Sequence, residues 1–171
     1  MADPPLVSIL TSVLNGEAFL EESIAAVLAQ DERSWEHWIV NDGSTDRTSN
    51  IALEAAAAHP DSIHYLEHPD SSNHGLCASR NLALSHARGK YIAILDADDV
   101  WHPTKLREQI VLARQFPHAG LIYGRSEYWH SWSRDPRDAG KDCVPVLAPG
   151  DRLYQPPDLL ALTYPLGQFG G

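Results

Sequence analysis

Short apolar runs alternate with longer stretches of helical spacing along the first two thirds of the chain. The short runs are rich in β-branched and apolar side chains, and they predict strands at 6–13, 35–40, 63–66, 91–95 and 119–123. The stretches between them carry apolar residues three and four positions apart, which predicts helices at 17–29, 45–58, 75–88 and 103–116. Strands that alternate with helices indicate parallel βαβ units, and therefore an α/β fold with a sheet covered by helices.

The fourth predicted strand leads directly into a group of carboxylates. Residues 91–95 are all apolar, which is typical of a strand buried on both faces, and Asp96, Asp98 and Asp99 follow them. If strand geometry continues, Asp96 and Asp98 leave the same face with their Cα atoms roughly 7 Å apart. At that distance two carboxylates repel by about 2.4 kcal/mol at a dielectric of 20, but only by about 0.6 kcal/mol in water. In a crevice such a pair calls for a cation, and oxygen ligands suit Mg²⁺ or Mn²⁺.

The position of other polar residues distinguishes a crevice from an open surface. Asn15 follows the first predicted strand and Asp42 follows the second, so both lie at carboxyl ends of strands, as the acidic group does. In open parallel sheets, ligands bind outside the carboxyl ends of the strands. The sequence therefore predicts that these residues line a ligand crevice.

Composition and net charge limit the kinds of function that the chain can have. The chain has 171 residues, of which 43% are hydrophobic and 21% charged, as expected of one ordinary globular domain. Thirteen basic and 23 acidic side chains give a formal net charge of −10, which argues against a nucleic-acid-binding protein. The same charge would repel an anionic ligand unless a metal ion or a nearby arginine intervened.

Cellular location is predicted from the cysteines and from the N-terminus. Cys77 and Cys143 are far apart, and the N-terminal residues do not form a signal peptide, so we expect reduced thiols in the cytoplasm. No apolar run approaches the roughly 18 residues that span a bilayer. Membrane association is not indicated, although a peripheral position at the inner face of a membrane stays open.

Four segments at ordered positions carry a resemblance to a known family. They are V-S-I-L-T-S-V-L-N-G at 7–16, W-I-V-N-D-G-S-T-D at 38–46, S-S-N-H-G-L-C-A-S-R-N-L-A-L at 71–84 and G-K-Y-I-A-I-L-D-A-D-D at 89–99. Together they resemble the nucleotide-sugar half of the family 2 glycosyltransferases. The resemblance implies a GT-A fold, which is a Rossmann-like, mostly parallel sheet flanked by helices.

The resemblance also implies a nucleotide pocket. In proteins of this type the Asp of the second segment receives the N3–H of uracil, which implies Asp42, and the Arg of the third segment lies near the base, which implies Arg80. The end of the first strand lines the base pocket, which implies Ser12 and Leu14. The family usually has an aromatic residue where Leu14 stands, and often a proline at Ser12.

The D-x-D element implies a metal site. In the family, one carboxylate lies near the ribose and one holds the metal that bridges the diphosphate, which implies Asp96 and Asp98 respectively, with Asp96 as a possible second ligand. The implied cofactor is Mg²⁺ or Mn²⁺. The implied reaction is transfer of a sugar, with inversion, from a nucleotide-diphosphate sugar to a hydroxyl of a glycan, lipid or other acceptor. A UDP-sugar is the favoured donor.

Other interpretations stand beside these assignments. Asp42 fits a plain turn, Arg80 a surface salt bridge, and Asp99 a residue that caps the helix after it. His102 is close enough in sequence to touch a metal, but it also fits a residue at the start of a helix. An aspartate-nucleophile phosphatase also uses an apolar strand followed by D-x-D, but there the motif belongs on the first strand, whereas here it follows the fourth.

The pattern weakens after residue 124. The stretch 133–151 is rich in proline and glycine, and 158–163 has the spacing of one short helix. We therefore expect a nucleotide-sugar-binding core at 1–124 and the irregular start of an acceptor-side region at 125–171. The last residues show no regular pattern, so we expect the domain to be truncated at its C-terminus. The family's general base has no match in this chain, and an alternative function is therefore sugar-nucleotide binding without transfer.

Overall fold

The computed structural model describes residues 4–133, 135–144, 152–155 and 158. The chain divides into two compact units, Met1–Glu108 and Gln109–Gly171. All of the strands that form the sheet lie in the first unit, as do the residues of the candidate site. No helix in the described part of the chain is long and apolar enough to cross a membrane.

Four parallel strands form one sheet. They are β1 (Val7–Val13), β2 (Trp35–Asn41), β3 (Ile63–Glu67) and β4 (Tyr91–Ile94), and their spatial order is β3-β2-β1-β4. The chain therefore progresses outward from β1 to β3 and then crosses to the other side of β1 to form β4. This reversal of direction lies between β1 and β4, which is the position where open α/β sheets bind their ligands.

Four helices connect or follow these strands: α1 (Leu20–Leu28), α2 (Thr48–Ala58), α3 (Leu76–His86) and α4 (Lys105–Gln115). Helix α3 packs on one face of the sheet, where Ala83 joins Leu10 and Val40 in a buried cluster. Ile9 and Ile39 are their neighbours along β1 and β2, so they point to the opposite face, where they are fully buried. The parallel sheet flanked by helices confirms the predicted α/β fold.

The sheet core also contains buried polar side chains. Glu36 on β2 accepts hydrogen bonds from the Ser8 hydroxyl at 2.6 Å and from the backbone N–H of Arg88 at 2.7 Å, and it forms a salt bridge with the Arg88 guanidinium. His37 on the same strand is fully buried and hydrogen-bonded to the Thr11 hydroxyl at 2.9 Å. Glu36 and His37 thus each have at least one hydrogen-bond partner on a neighbouring element, which offsets the cost of desolvation.

Two details of the predicted strands are wrong. β4 is not buried on both faces, since Ile92 and Ile94 are 44% and 55% exposed. β4 is an edge strand of the described sheet, so a neighbouring strand flanks it on one side only. The predicted strand at 119–123 is absent as well, and Leu121 within it is 74% exposed. An apolar run becomes a strand only where it finds a pairing partner.

Other predictions have mixed outcomes. Cys77 and Cys143 are free thiols, as expected. Helix α1 begins three residues later than the spacing predicted, because residues 17–19 form a turn. The predicted helix at 158–163 lies outside the described residues except for Asp158.

Candidate functional site

A pocket of about 320 Å³ opens at the carboxyl ends of β1 and β4. Four of the sequence-predicted site residues line it: Ser12 and Leu14 from the end of β1, and Asp96 and Asp98 from the segment after β4. Phe19 and Leu76 add apolar surface that the sequence analysis did not assign to the site. The pocket lies at the predicted crevice, and it places apolar side chains beside two carboxylates.

The two carboxylates of the D-x-D element have different environments. Asp96 Oδ1 accepts a hydrogen bond from Arg80 Nη2 on α3 at 2.5 Å, and this contact is a salt bridge. Asp98 is exposed, and no salt bridge to it is formed within the described residues. Arg80 is therefore brought to the site through Asp96, whereas Asp98 faces the pocket with its oxygens accessible.

The third carboxylate of the group, Asp99, belongs to an exposed residue, but its carboxyl group is partly desolvated. Burial raises the pKa of Asp99, and the nearby charges of Asp96 and Asp98 raise it further, while Lys105 opposes the shift. The Lys105 ammonium lies 4.4 Å from the centre of the Trp101 ring, which fixes its position at the start of α4. Asp99 is therefore close enough to the other acids to feel their charge, yet it is not among the residues that line the pocket.

His102 belongs to the start of α4 rather than to the pocket. Its Nδ1 is hydrogen-bonded to the Thr104 hydroxyl at 2.9 Å. The backbone carbonyl of His102 accepts a hydrogen bond from the buried side-chain amide of Gln30 at 2.9 Å, and the Gln30 carbonyl accepts one from the backbone N–H of Leu106. Gln30 therefore fixes the backbone that follows the acidic group.

Asp42 lies at the end of β2, next to the pocket but not in its lining. Its side chain is buried, with the residue 3% exposed. Oδ1 accepts hydrogen bonds from the backbone N–H of His74 and the hydroxyl of Ser79, both at 2.9 Å, and Oδ2 accepts one from the backbone N–H of Gly75 at 3.0 Å. Burial alone would raise the pKa of Asp42, but these hydrogen bonds outweigh it and lower the pKa. Asp42 is thus an ionised anchor for the loop that precedes α3.

That loop packs closely on the turn after β2. Gly43 has a φ of 81°, and a Cβ at this position would lie 2.7 Å from the backbone nitrogen of Asn73. His68 and His74 stack with their ring centres 4.2 Å apart. Because the Ser79 hydroxyl donates to Asp42, His68 Nε2 must donate to the Ser79 oxygen, 2.9 Å away. The sequence analysis missed this histidine pair, since the two residues meet only through the loop conformation.

The loops after β1 and β2 are tied together by reciprocal hydrogen bonds. Asn15, with a φ of 52°, donates from its backbone to the Ser44 hydroxyl and accepts at its side chain from the backbone N–H of Thr45, both at 2.9 Å. Glu17 donates from its backbone to Asp46 Oδ2 at 3.1 Å. Asparagine is one of the few residues besides glycine that adopt this left-handed conformation readily. These contacts hold the pocket edge formed by residues 12–16.

Comparison with models of known protein families identifies the family of this chain. The model of the family described as "Glycosyl transferase family 2" matches residues 8–155, which includes all of the sheet except Val7 and every predicted site residue. The chain belongs to this family. Membership confirms the predicted resemblance and decides against the phosphatase alternative.

Relatives within glycosyl transferase family 2 are longer than this chain. The "Putative glycosyltransferase EpsE" of Bacillus subtilis is 38% identical over 122 residues, which are 71% of this chain and 43% of the relative. The UDP-Glc:alpha-D-GlcNAc-diphosphoundecaprenol beta-1,3-glucosyltransferase WfgD of Escherichia coli is 34% identical over 125 residues, which are 73% of this chain and 47% of WfgD. The chain thus spans less than half the length of these relatives.

A solved structure supports the same family fold. The mannosyltransferase PcManGT from Pyrobaculum calidifontis, solved in complex with GDP-Man and Mn²⁺, superposes with a TM-score of 0.57 at 27% identity. The match covers 69% of this chain and 34% of PcManGT. The family 2 chain described here therefore has the GT-A fold, as predicted, with a parallel sheet flanked by helices.

Proposed function

We propose that this chain carries the donor-binding half of a glycosyltransferase that transfers a sugar from a nucleotide-diphosphate sugar to a hydroxyl acceptor. The observation that carries the proposal is the pocket between β1 and β4, where Asp96 and Asp98 face Ser12 and Leu14. Carboxylates on one side suit a metal-bound diphosphate, and apolar surface on the other suits a nucleobase. A UDP-sugar is the favoured donor, in line with the UDP-Glc in the name of WfgD.

The residues present fit a divalent ion of the kind that this proposal needs. Asp98, with Asp96 as a second ligand, would hold Mg²⁺ or Mn²⁺, and the bound ion would neutralise the diphosphate as it leaves. No group of three or more His, Cys, Asp or Glu side chains that could hold a metal occurs in the described part of the chain. Two carboxylates nevertheless suffice for Mg²⁺, which is commonly held by one or two carboxylates together with substrate phosphates and water. The structure of PcManGT holds Mn²⁺ together with its donor.

The remaining site residues would select the nucleotide. Leu14 would pack against the base, and Ser12 would line the base pocket beside it. Asp42 Oδ2 accepts a single hydrogen bond in the structure, so it retains a lone pair for the N3–H of uracil. Reaching that oxygen requires the base to enter beside the loop that Asp42 anchors, and this loop would then set the depth of the base pocket.

The proposed chemical step is a single displacement. The acceptor hydroxyl would attack the anomeric carbon from the face opposite the diphosphate, which inverts the configuration at that carbon, and a carboxylate would take the hydroxyl proton. No residue of this chain is assigned as that base. The chain's own contribution is to bind and orient the donor.

Calorimetric titration with UDP in the presence of Mn²⁺ tests the proposal. We expect UDP to bind, and we expect Asp98→Asn to weaken binding at least tenfold because it removes the negative charge that holds the ion. Asp61→Asn is the matched control, since this exposed aspartate lies outside the pocket and its loss makes the same charge change. Failure of UDP, GDP, dTDP and CDP to bind with either Mg²⁺ or Mn²⁺ would refute the proposal.

A second candidate function is donor binding without transfer by these 171 residues alone. It is favoured by the share of the relatives that the chain spans, 43% of EpsE and 47% of WfgD. Sugar transfer and sugar-nucleotide hydrolysis, measured for this chain and for a version extended to the length of the relatives, separate the two candidates. We expect both proteins to bind UDP and only the longer one to transfer sugar efficiently.

A further inference from the structure

The salt bridge between Arg80 and Asp96 places a protein cation on a proposed metal ligand. Arg80 Nη2 lies 2.5 Å from Asp96 Oδ1, so the guanidinium donates a charge-assisted hydrogen bond to this carboxylate. Arg80 projects from α3, whereas Asp96 follows β4, so the contact joins two elements, and of the two residues only Asp96 lines the pocket. Because a guanidinium stays protonated at all ordinary pH values, this positive charge is permanent.

Arg80 is incompletely satisfied in this position. Its side chain is 28% exposed, and its Nε atom is buried without a hydrogen-bond partner in the described part of the chain. Unpaired buried donors are uncommon in folded proteins, and a role at a functional site is one explanation for them. Asp96 contributes a single oxygen to the contact, so the usual two-pronged pairing of guanidinium with carboxylate is not formed.

The positive charge of Arg80 acts in opposite ways on the metal ion and on the diphosphate of a bound donor. Its charge stabilises Asp96 beside Asp98 and at the same time repels a divalent ion that binds the same carboxylates. An anionic diphosphate would instead be attracted to it. A residue that merely oriented Asp96 for metal binding would strengthen metal binding, whereas a residue that competes with the metal would weaken it.

We propose that Arg80 is an internal substitute for the metal ion: it pairs with Asp96 while the donor is absent and transfers its hydrogen bonds to the anionic donor when the ion and the diphosphate bind. This inference rests on the proposed function, since it assumes that Asp96 and Asp98 hold the ion. The substitute limits the repulsion between the carboxylates in the empty pocket. It also disfavours metal binding without a nucleotide, so that ion and donor bind together.

Two binding measurements on Arg80→Gln test this inference. The first is Mn²⁺ binding without nucleotide, followed by the electron paramagnetic resonance signal of free Mn²⁺ at fixed ionic strength. We expect the dissociation constant for Mn²⁺ to fall about tenfold, since a competing positive charge has been removed. The second is calorimetric titration with UDP at saturating Mn²⁺, for which we expect the dissociation constant to rise about tenfold because the diphosphate loses a charged donor.

Arg107→Gln is the matched control. Arg107 forms a comparable salt bridge at 2.6 Å with Asp31, which does not line the pocket, so its loss makes the same change in net charge without touching Asp96. We expect both of its dissociation constants to stay within twofold of wild type. Arg80→Met provides a second variant of similar length in case the first does not fold, with the same expected directions, and circular dichroism reports the fold of each protein.

The outcomes separate this inference from the function on which it rests. Mn²⁺ binding that is unchanged or weaker in Arg80→Gln, while wild type binds the ion, would overturn the inference and leave the metal site intact. Tighter Mn²⁺ binding by Arg80→Gln with unchanged UDP affinity would overturn the proposal that Arg80 transfers its hydrogen bonds to the donor. Absence of Mn²⁺ binding in both proteins, with and without UDP, would remove the metal site and this inference together.

Discussion

The buried histidine of β2 makes the stability of the domain depend on pH in a way that can be calculated. His37 is fully buried and hydrogen-bonded to Thr11. Burial lowers the pKa of His37 from 6.5 to about 3, and the charge of nearby His64 contributes to the same direction. The unfolded chain therefore binds a proton at His37 below pH 6.5 that the folded protein does not bind until pH 3. Stability that is fully present above pH 6.5 is lost as the pH falls toward 3.

The size of the effect follows from the two pKa values. Within that window the free energy of unfolding falls by about 1.4 kcal/mol per pH unit for one proton. Between pH 7 and pH 5, the part of the loss due to His37 is about 2 kcal/mol, because protonation of the unfolded chain is still incomplete near pH 6.5. This loss is a sizeable fraction of the 5–15 kcal/mol, roughly, that stabilises an ordinary domain.

The assay compares wild type with His37→Gln in urea, at pH 7 and at pH 5, using tryptophan fluorescence. Glutamine keeps a hydrogen-bonding group near Thr11 but does not titrate. We expect wild type to lose about 2 kcal/mol more than the variant between the two pH values, whatever the absolute stability of the variant. Contributions of the other eight histidines are common to both proteins and cancel. Equal losses in the two proteins would refute the reasoning.

Three further substitutions test contacts in the same sheet by urea denaturation. Gly89→Ala should destabilise the domain by at least about 2 kcal/mol, because a Cβ there would lie 2.4 Å from the backbone nitrogen of Ser8; an unchanged midpoint would contradict this. Arg88→Ala should cost about 3 kcal/mol at pH 7, because it leaves the buried carboxylate of Glu36 without its cation. The pKa of Glu36 is lowered in the folded protein, so the loss of stability in Arg88→Ala should shrink as acid protonates Glu36. A loss of stability that does not depend on pH would contradict this expectation. Ile94→Ala should cost less than about 1 kcal/mol because the side chain is half exposed, and a larger loss would mean that this face is covered.

The sheet and its four helices could be predicted because their signals are local. A β-branched run such as 7–13, or apolar spacing such as that of α1, specifies its own element whatever surrounds it. The position of the pocket followed from one general rule on parallel sheets, and it needed no knowledge of side-chain contacts. The strand predicted at 119–123 failed because a strand also requires a partner, which its own residues do not specify.

The site residues were predicted less completely because their states depend on distant parts of the chain. The sequence predicted Asp42 as a uracil-binding residue or, alternatively, a plain turn residue, yet in the structure donors 32–37 positions away bind both of its oxygens. The salt bridge of Arg80 with Asp96 joins residues 16 positions apart on different elements. No local pattern reports such contacts, since they exist only after the helix has packed on the sheet.

The carboxylates that follow β2 and β4, the two neighbours of β1, therefore have different roles, and the difference follows from how deeply each is buried. Asp42 is buried, so its charge must be satisfied within the chain, and the three hydrogen bonds that do this fix the loop before α3. Asp98 is exposed at the pocket, so water can satisfy its charge until the proposed cation replaces that water. A buried carboxylate that anchors a loop and an exposed carboxylate that is open to a cation could not exchange positions without loss of one of these roles. Substitutions at Asp42 should therefore reduce stability and nucleotide affinity together, whereas substitutions at Asp98 should reduce affinity alone.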